Sequence, residues 1–319
     1  MLPHRKLADS NLDVSVMCYG AAAFGTTLRG AEMEHLYAAF REAGGNFFDT
    51  AHCYCFWIAD GLGASERALG DIVRRHGDRQ NVVIATKGGH PAAGPAYPRP
   101  DRYLAPAVIA SDIDESLNRL GMDVIDLYWL HRDDPRVPAD EIVETLNAEI
   151  ARGRIRYPGA SNWTAARIAA ANAYAAERGL QGFVASQPQW NLAQPNLDSR
   201  ADPTMRFLPE EDRLWHIQSG LPVVAYSSTG CGYFASGGRL AAGAFDNDVS
   251  RARLRCAQEL ATRKGATPNQ IALAWLLHQG FPVVPILGTG KLEHLTDALD
   301  APAVQLSPAE VRSLTNART

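Results

Sequence analysis

Eight short apolar runs recur along this chain, nearly all followed by a longer segment rich in Ala, Leu, Glu and Arg, and no other feature limits its fold as strongly. The runs cover residues 16–19, 46–49, 82–86, 125–130, 156–160, 184–187, 223–226 and 283–286. Helices are expected between them at 32–43, 65–75, 107–120, 139–151, 164–178, 210–219 and 268–279. Strands that alternate with helices pair in parallel, because each crossover helix returns the chain to the same end of the sheet. Over 107–120, Ile109, Ile113, Leu117 and Leu120 form an apolar stripe backed by Asp112, Glu115 and Arg119, as in a helix that buries one face. The runs are apolar almost throughout, as strands covered on both faces are. Eight such units in 319 residues fit a closed (β/α)8 barrel, which has no exposed sheet edge, and 1–319 is read as one domain. Residues 5–7 and 12–14, on either side of Asp9-Ser10-Asn11, read as a small hairpin placed to plug the barrel floor. The stretches 88–106 and 193–209 read as loops on the strand-to-helix side, where a barrel carries its site.

The formal net charge of −4 argues against a nucleic-acid or anionic-membrane partner, since either favours a basic surface. No apolar stretch approaches the roughly 18 residues of a membrane span. The charged residues near the N-terminus are not followed by the apolar run of a signal peptide. Five cysteines are too few to staple a chain of this length and suit a reducing compartment, so a cytoplasmic setting is expected.

Polar residues stand where apolar runs stop. Asp49 ends one run, Lys87 follows the next, His131 follows the one after, and Gln187 ends a later one. Successive parallel barrel strands bring those ends to one rim, so an acid, a lysine and a histidine on consecutive strands point to a common site. Tyr54 lies five residues beyond Asp49. A phenol is a poor acid at neutral pH, but a nearby ammonium stabilises the phenolate, and a carboxylate holds the ammonium in place. Asp49, Tyr54 and Lys87 are therefore a chemically sensible set for general acid–base work.

The motifs around these residues resemble the aldo-keto reductases over nearly the whole chain. They are Phe48-Asp49-Thr50-Ala51-x-x-Tyr54, Gly63-x-Ser65-Glu66-x-x-Leu69-Gly70, Ala85-Thr86-Lys87, Asp126-Leu127-Tyr128-x-Leu130-His131 and Gly153-Arg154-Ile155-Arg156-Tyr157-x-Gly159-x-Ser161-Asn162. The resemblance implies a nicotinamide-dependent oxidoreductase that interconverts a small carbonyl compound (aldehyde, ketone or sugar) and its alcohol. Tyr54 would be the general acid in reduction, with Lys87 and Asp49 depressing its pKa and His131 orienting the carbonyl. Ser161, Asn162 and Gln187 would hold the nicotinamide carboxamide, and Tyr226 would stack on the ring. Cofactor contacts would extend to Gly20, Ala21, Asp49, Ser227, Ser228 and Thr229. The turn Gly288-Thr289-Gly290-Lys291, with His294 and Asp297, would take the phosphate end, since a Gly-rich turn entering a helix offers backbone N–H groups to phosphate.

Some positions depart from the family pattern. His294 stands where many members carry an arginine for the 2′-phosphate, Ala298 where they carry an asparagine, and no Pro-Leu pair follows Ser227. Lys291 could supply the missing charge, so NADP(H) is favoured, with NAD(H) as the alternative. On the substrate side, Trp57, Arg132, Trp163, Tyr54 and His131 are the candidates. An aromatic platform beside Arg132 and His52 would suit a sugar, while Trp129 and Trp190 fit core packing better. His52, Cys53 and Cys55 are too close in sequence to close a tetrahedral site, so no metal is expected. No oligomeric state is implied. Two other readings are a cofactor-binding regulatory subunit with slow redox chemistry, and a metal-dependent hydrolase using Asp49, His52 and His131. The short segment ahead of the first barrel strand favours the enzyme over the regulatory subunit.

Overall fold

The computed structural model describes residues 1–197 and 202–317, so part of the expected loop 193–209 lies outside the described residues. An antiparallel pair, β1 (His4–Lys6) and β2 (Asp13–Ser15), comes first. The alternating part then runs β3 (Cys18–Gly20), α1 (Gly30–Glu42), β4 (Phe47–Asp49), α2 (Ala64–Arg75), β5 (Val83–Gly88), α3 (Pro106–Leu120), β6 (Ile125–Leu130), α4 (Ala139–Ala151), β7 (Ile155–Ser161) and α5 (Ala165–Arg178). It continues through β8 (Ser186–Gln187), α6 (Glu210–Ser219), β9 (Val223–Ala225), α7 (Ala242–Phe245), α8 (Asp248–Lys264), α9 (Pro268–Leu277), β10 (Val283–Leu287), α10 (Leu292–Leu299) and α11 (Pro308–Asn316). The strands from β3 to β10 pair in parallel in chain order, and β10 closes back on β3. The expected (β/α)8 barrel is therefore present.

Strand alternation sorts the side chains into two layers. Phe47, Val83, Ala85, Leu127 and Trp129 face the barrel interior, where Val184, Val224 and Val284 join them. Phe48, Ile84, Tyr128 and Leu130 face outward against Tyr37, Phe40, Leu69, Ile72 and Ile113 of the helices. Leu7, Leu12 and Val14 belong to the interior layer, so the hairpin does plug the barrel. Trp129 fills the interior because its neighbour in register is Gly159, whose missing Cβ would fall 2.2 Å from the indole. Trp190 packs on Trp275 and Phe281 in a separate core and lies off the site.

Several boundaries differ from expectation. β5 runs two residues further, because its pairing with β6 continues to Gly88 opposite Leu130. β8 has only two residues, since Val184 and Ala185 are buried without being part of the strand. Helices α7, α8 and α11 were not expected, while α10 is the helix that the turn Gly288–Lys291 was expected to enter. The 17-residue α8 buries mostly Ala and Ser positions, which leaves little apolar contrast to read. α9 opens on a reciprocal cap between Thr267 and Gln270. No helix among the described residues is long and apolar enough to cross a membrane.

Candidate active site

The inward faces of β4, β5 and β6 continue into the polar rim. Asp49 follows Phe47, Lys87 follows Val83 and Ala85, and His131 follows Leu127 and Trp129, each on the inward side of its strand. Lys87 Nζ donates to Asp49 Oδ1, to the Thr50 carbonyl at 2.7 Å and to the Tyr54 hydroxyl at 3.0 Å. All three protons of a buried ammonium are thus used, which is the condition for burying a charge at tolerable cost. Burial works to lower the Lys87 pKa, but the charges of Asp49 and Tyr54 overcome it and hold it above its ordinary value. The Tyr54 ring meets the His131 imidazole edge-on at 5.9 Å.

For Tyr54 two effects compete. Desolvation pushes the phenol up, Lys87 pulls it down, and the net shift is upward. The expected depression by Lys87 is real but smaller than the burial effect, because the same packing that brings the ammonium close also removes water. Burial, then Arg132, His90 and Lys87, hold the His131 imidazole well below its ordinary pKa, so it is neutral at pH 7.

Next to this group lie the amides. Ser161 and Gln187 are neighbours in the β7–β8 register, and Gln187 Nε2 donates to Asp49 Oδ2 at 3.0 Å. Asn162 has a left-handed backbone (φ 63°), a conformation that Asn tolerates better than most residues. Its Nδ2 donates to the His131 carbonyl at 3.0 Å, and its Oδ1 accepts from the Tyr226 hydroxyl at 2.8 Å. One amide thereby ties together the ends of β6, β7 and β9. Gly20 and Ala21 flank Asp49, with Ala21 N donating to the Asp49 carbonyl at 2.8 Å.

The turn after β10 is held by the Tyr19 hydroxyl, which donates to the Thr289 carbonyl at 2.7 Å. It enters α10 with no side chain capping the first-turn N–H groups. A Cβ on Gly288 would meet nothing within 4 Å, so an open cradle lies at a helix start, which suits an anion. Lys291 and His294 are both exposed there, each within 4 Å of Glu293. An aromatic ring, a cluster of amides beside the buried ion pair and an open helix start fit a nicotinamide dinucleotide.

Other expected site residues are placed elsewhere. Asp297 turns to the start of α9, accepting from Thr267 and Asn269 at 2.8 Å each. Ser228 donates to the Ile286 carbonyl and is fully buried, while Ser227 and Thr229 are half-buried. Trp163 is buried against Phe183 and Arg167, away from the rim, because its ring packs into the layer outside the barrel. Arg132 reaches Asp202 and Thr204 at 2.8 Å each. His52 is buried, 2.8 Å from the Tyr97 hydroxyl and 3.0 Å from Glu115, and so offers no polar tip to the mouth. Trp57 is 57% exposed with its ring 6.3 Å from that of Tyr54.

Sequence reasoning missed His90, whose ring stands 4.8 Å from that of His131. The turn carrying it is held by Gly89 N donating to Asp112 Oδ2 at 2.8 Å. The Gly88-Gly89 pair directly after Lys87 was the available signal. Glu66, read in the sequence only as part of a motif, is fully buried, accepts from Thr86 at 2.6 Å and pairs with Arg119.

A closed parallel barrel with an ion-paired lysine, a tyrosine and a neutral histidine at its carboxyl rim is the framework of a barrel oxidoreductase. The aldo/keto reductase family model matches residues 16–318, and the chain belongs to that family. Membership makes it an oxidoreductase that works with a nicotinamide cofactor on small carbonyl compounds. Among solved structures it is similar to a thermostable aldo-keto reductase crystallised with the inhibitor epalrestat. The two share 24% identity and a TM-score of 0.73, over 98% of this chain and 99% of that one. At that identity the likeness speaks for the fold.

Proposed function

We propose that the chain works as one barrel domain that reduces a small carbonyl compound to its alcohol, and catalyses the reverse reaction, with Tyr54 as general acid and base. The carrying observation is the Lys87 ammonium, paired to Asp49 and 3.0 Å from the Tyr54 hydroxyl. Lys87 stabilises the charge that develops on Tyr54 as its proton leaves. The neutral imidazole of His131, edge-on to Tyr54, positions the carbonyl oxygen beside the phenol.

The nicotinamide cofactor, when bound, supplies the hydride. Ser161, Asn162 and Gln187 would hold its carboxamide, with Tyr226 beside the ring. The turn from Gly288 to Lys291 would take its phosphates, with Gly20, Ala21, Ser227 and Thr229 completing the contact. NADP(H) is favoured because Lys291 and His294 stand exposed at that turn, and NAD(H) is the alternative. Within the carbonyl class, a sugar-like substrate is supported by the exposed Trp57 indole beside Tyr54, since aromatic faces cover sugar C–H surfaces.

The test is Tyr54→Phe assayed on a panel of sugars and hydrophobic aldehydes with NADPH and NADH. Turnover should fall by about 10²–10⁴, while NADPH affinity, read by tryptophan fluorescence, stays near wild type. Wild-type turnover in the variant would remove Tyr54 from the role. A strong preference for aliphatic aldehydes would remove the sugar reading.

A further inference from the structure

Three residues far apart in the chain bring soft ligand atoms together beside the rim. Cys53 comes from the β4–α2 loop, His90 from the turn after β5 and His131 from the end of β6. One ligand atom from each lies within 4.8 Å of the other two, and all three residues are buried. Cys53 Sγ is 3.4 Å from His131 Nδ1. In a tetrahedral zinc site, a Zn–S bond of about 2.3 Å and Zn–N bonds of about 2.0–2.1 Å place sulfur and nitrogen about 3.6 Å apart. That edge is close to the required length. The remaining separations need to close by about 1.5 Å at most.

We propose that Cys53, His90 and His131 form a binding site for a zinc-like divalent cation, with the fourth position open to water or another oxygen ligand.

A second feature of the geometry supports this. His90 Nδ1 is 2.7 Å from the Pro91 carbonyl, and a carbonyl only accepts, so Nδ1 carries the hydrogen and Nε2 carries the lone pair. The Pro91 carbonyl is the hydrogen-bond partner of the His90 ring among the described residues, and it is taken by Nδ1. A ring N–H fixed on a backbone carbonyl is the usual outer support of a metal-ligating histidine. Asp112, bonded to Gly89 N and to Arg99, holds the turn that presents the ring.

The chemistry balances with one proton. The cation displaces the hydrogen of the Cys53 thiol and forms a metal–sulfur bond, while both imidazoles give lone pairs and release nothing. Burial keeps the Cys53 thiol up at about 12 against the pull of Arg132 and Lys87, so the metal is what draws off its proton. Burial also takes His90 down to about 4, leaving its lone pair free at neutral pH. Lys87 and Arg132 repel a dication, although each is paired, to Asp49 and to Asp202. With three protein ligands and two nearby cations, the affinity falls below that of a four-ligand structural site.

The experiment uses the full chain, stripped with chelator and titrated with Co²⁺ and then Zn²⁺. The more accessible thiols are removed by Cys231→Ser and Cys256→Ser. We expect one Co²⁺ per chain, with a thiolate-to-metal absorption band that Zn²⁺ displaces. Cys53→Ala should abolish the band, and His90→Ala should weaken binding by at least the about 10–100-fold that losing an outer-shell partner costs. His90→Phe keeps the ring volume in case the alanine variant melts early. No band in the parent, or unchanged affinity in both the cysteine and histidine variants, overturns the site. The spectrum does not depend on turnover, so it stands apart from the assignment of Tyr54.

Discussion

Replacing Lys87 with Met tests the ion pair at the centre of the rim. The Lys87 and Asp49 side chains are 2% and 3% exposed, so water does not replace what is removed. Lys87→Met leaves the Asp49 carboxylate with Gln187 Nε2 at 3.0 Å as its side-chain partner, and strips the Thr50 carbonyl of its 2.7 Å donor. Breaking a buried pair from one side costs about 3–5 kcal/mol. With an unfolding entropy of about 2.1 cal/mol/K per residue, 319 residues give about 0.7 kcal/mol/K, so Tm should drop by about 4–7 °C. Adding Asp49→Asn removes the stranded charge and keeps an acceptor for Gln187. Neutralising both partners is close to neutral for stability, so the double variant should regain more than half of the loss. Urea unfolding followed by tryptophan fluorescence, run as a double-mutant cycle, reads both numbers. A single-variant loss below about 1 kcal/mol, typical of a surface pair, would refute the burial argument. So would a double variant as unstable as the single.

With Tyr54 as the proposed proton donor, reduction requires its phenol protonated. That group's pKa is raised, so its acid form persists until pH climbs past its ordinary value near 10, while neutral His131 protonates only below its ordinary value near 6.5. The reductive kcat should be flat between those limits while the oxidative rate climbs with pH, and an alkaline limb in reduction below about pH 8 would contradict the burial of the phenol. His294→Arg, at an exposed position on α10, should raise the NADPH-to-NADH affinity ratio by about tenfold through one charge-assisted contact. Equal binding of both cofactors by that variant would place the 2′-phosphate elsewhere. Gly159→Ala puts a Cβ 2.2 Å from the Trp129 indole and should cost about 1–3 kcal/mol in urea unfolding. An unchanged midpoint would mean that the indole does not need the space.

The barrel was legible in the sequence because its signals are local. A β-branched or aromatic run followed by an amphipathic stripe is visible within about 30 residues, and the exact matches at β6 and α4 come from such contrast. Asp49, Lys87 and His131 could be read as one rim because strand alternation carries a side chain's direction along the run. What depended on the packing of distant segments was decided only in three dimensions. Asp297, expected among the cofactor contacts, sits on α10, and the Thr267 hydroxyl and the Asn269 amide at the start of α9 take its carboxylate because α9 packs against α10. The Tyr54 phenol shifts upward because the number of waters around a hydroxyl is set by what closes over it, and no spacing encodes that. Cys53, His90 and His131 share no motif. Three neighbouring strands, β4, β5 and β6, had to pair side by side before a thiol and two imidazoles came within reach of one another.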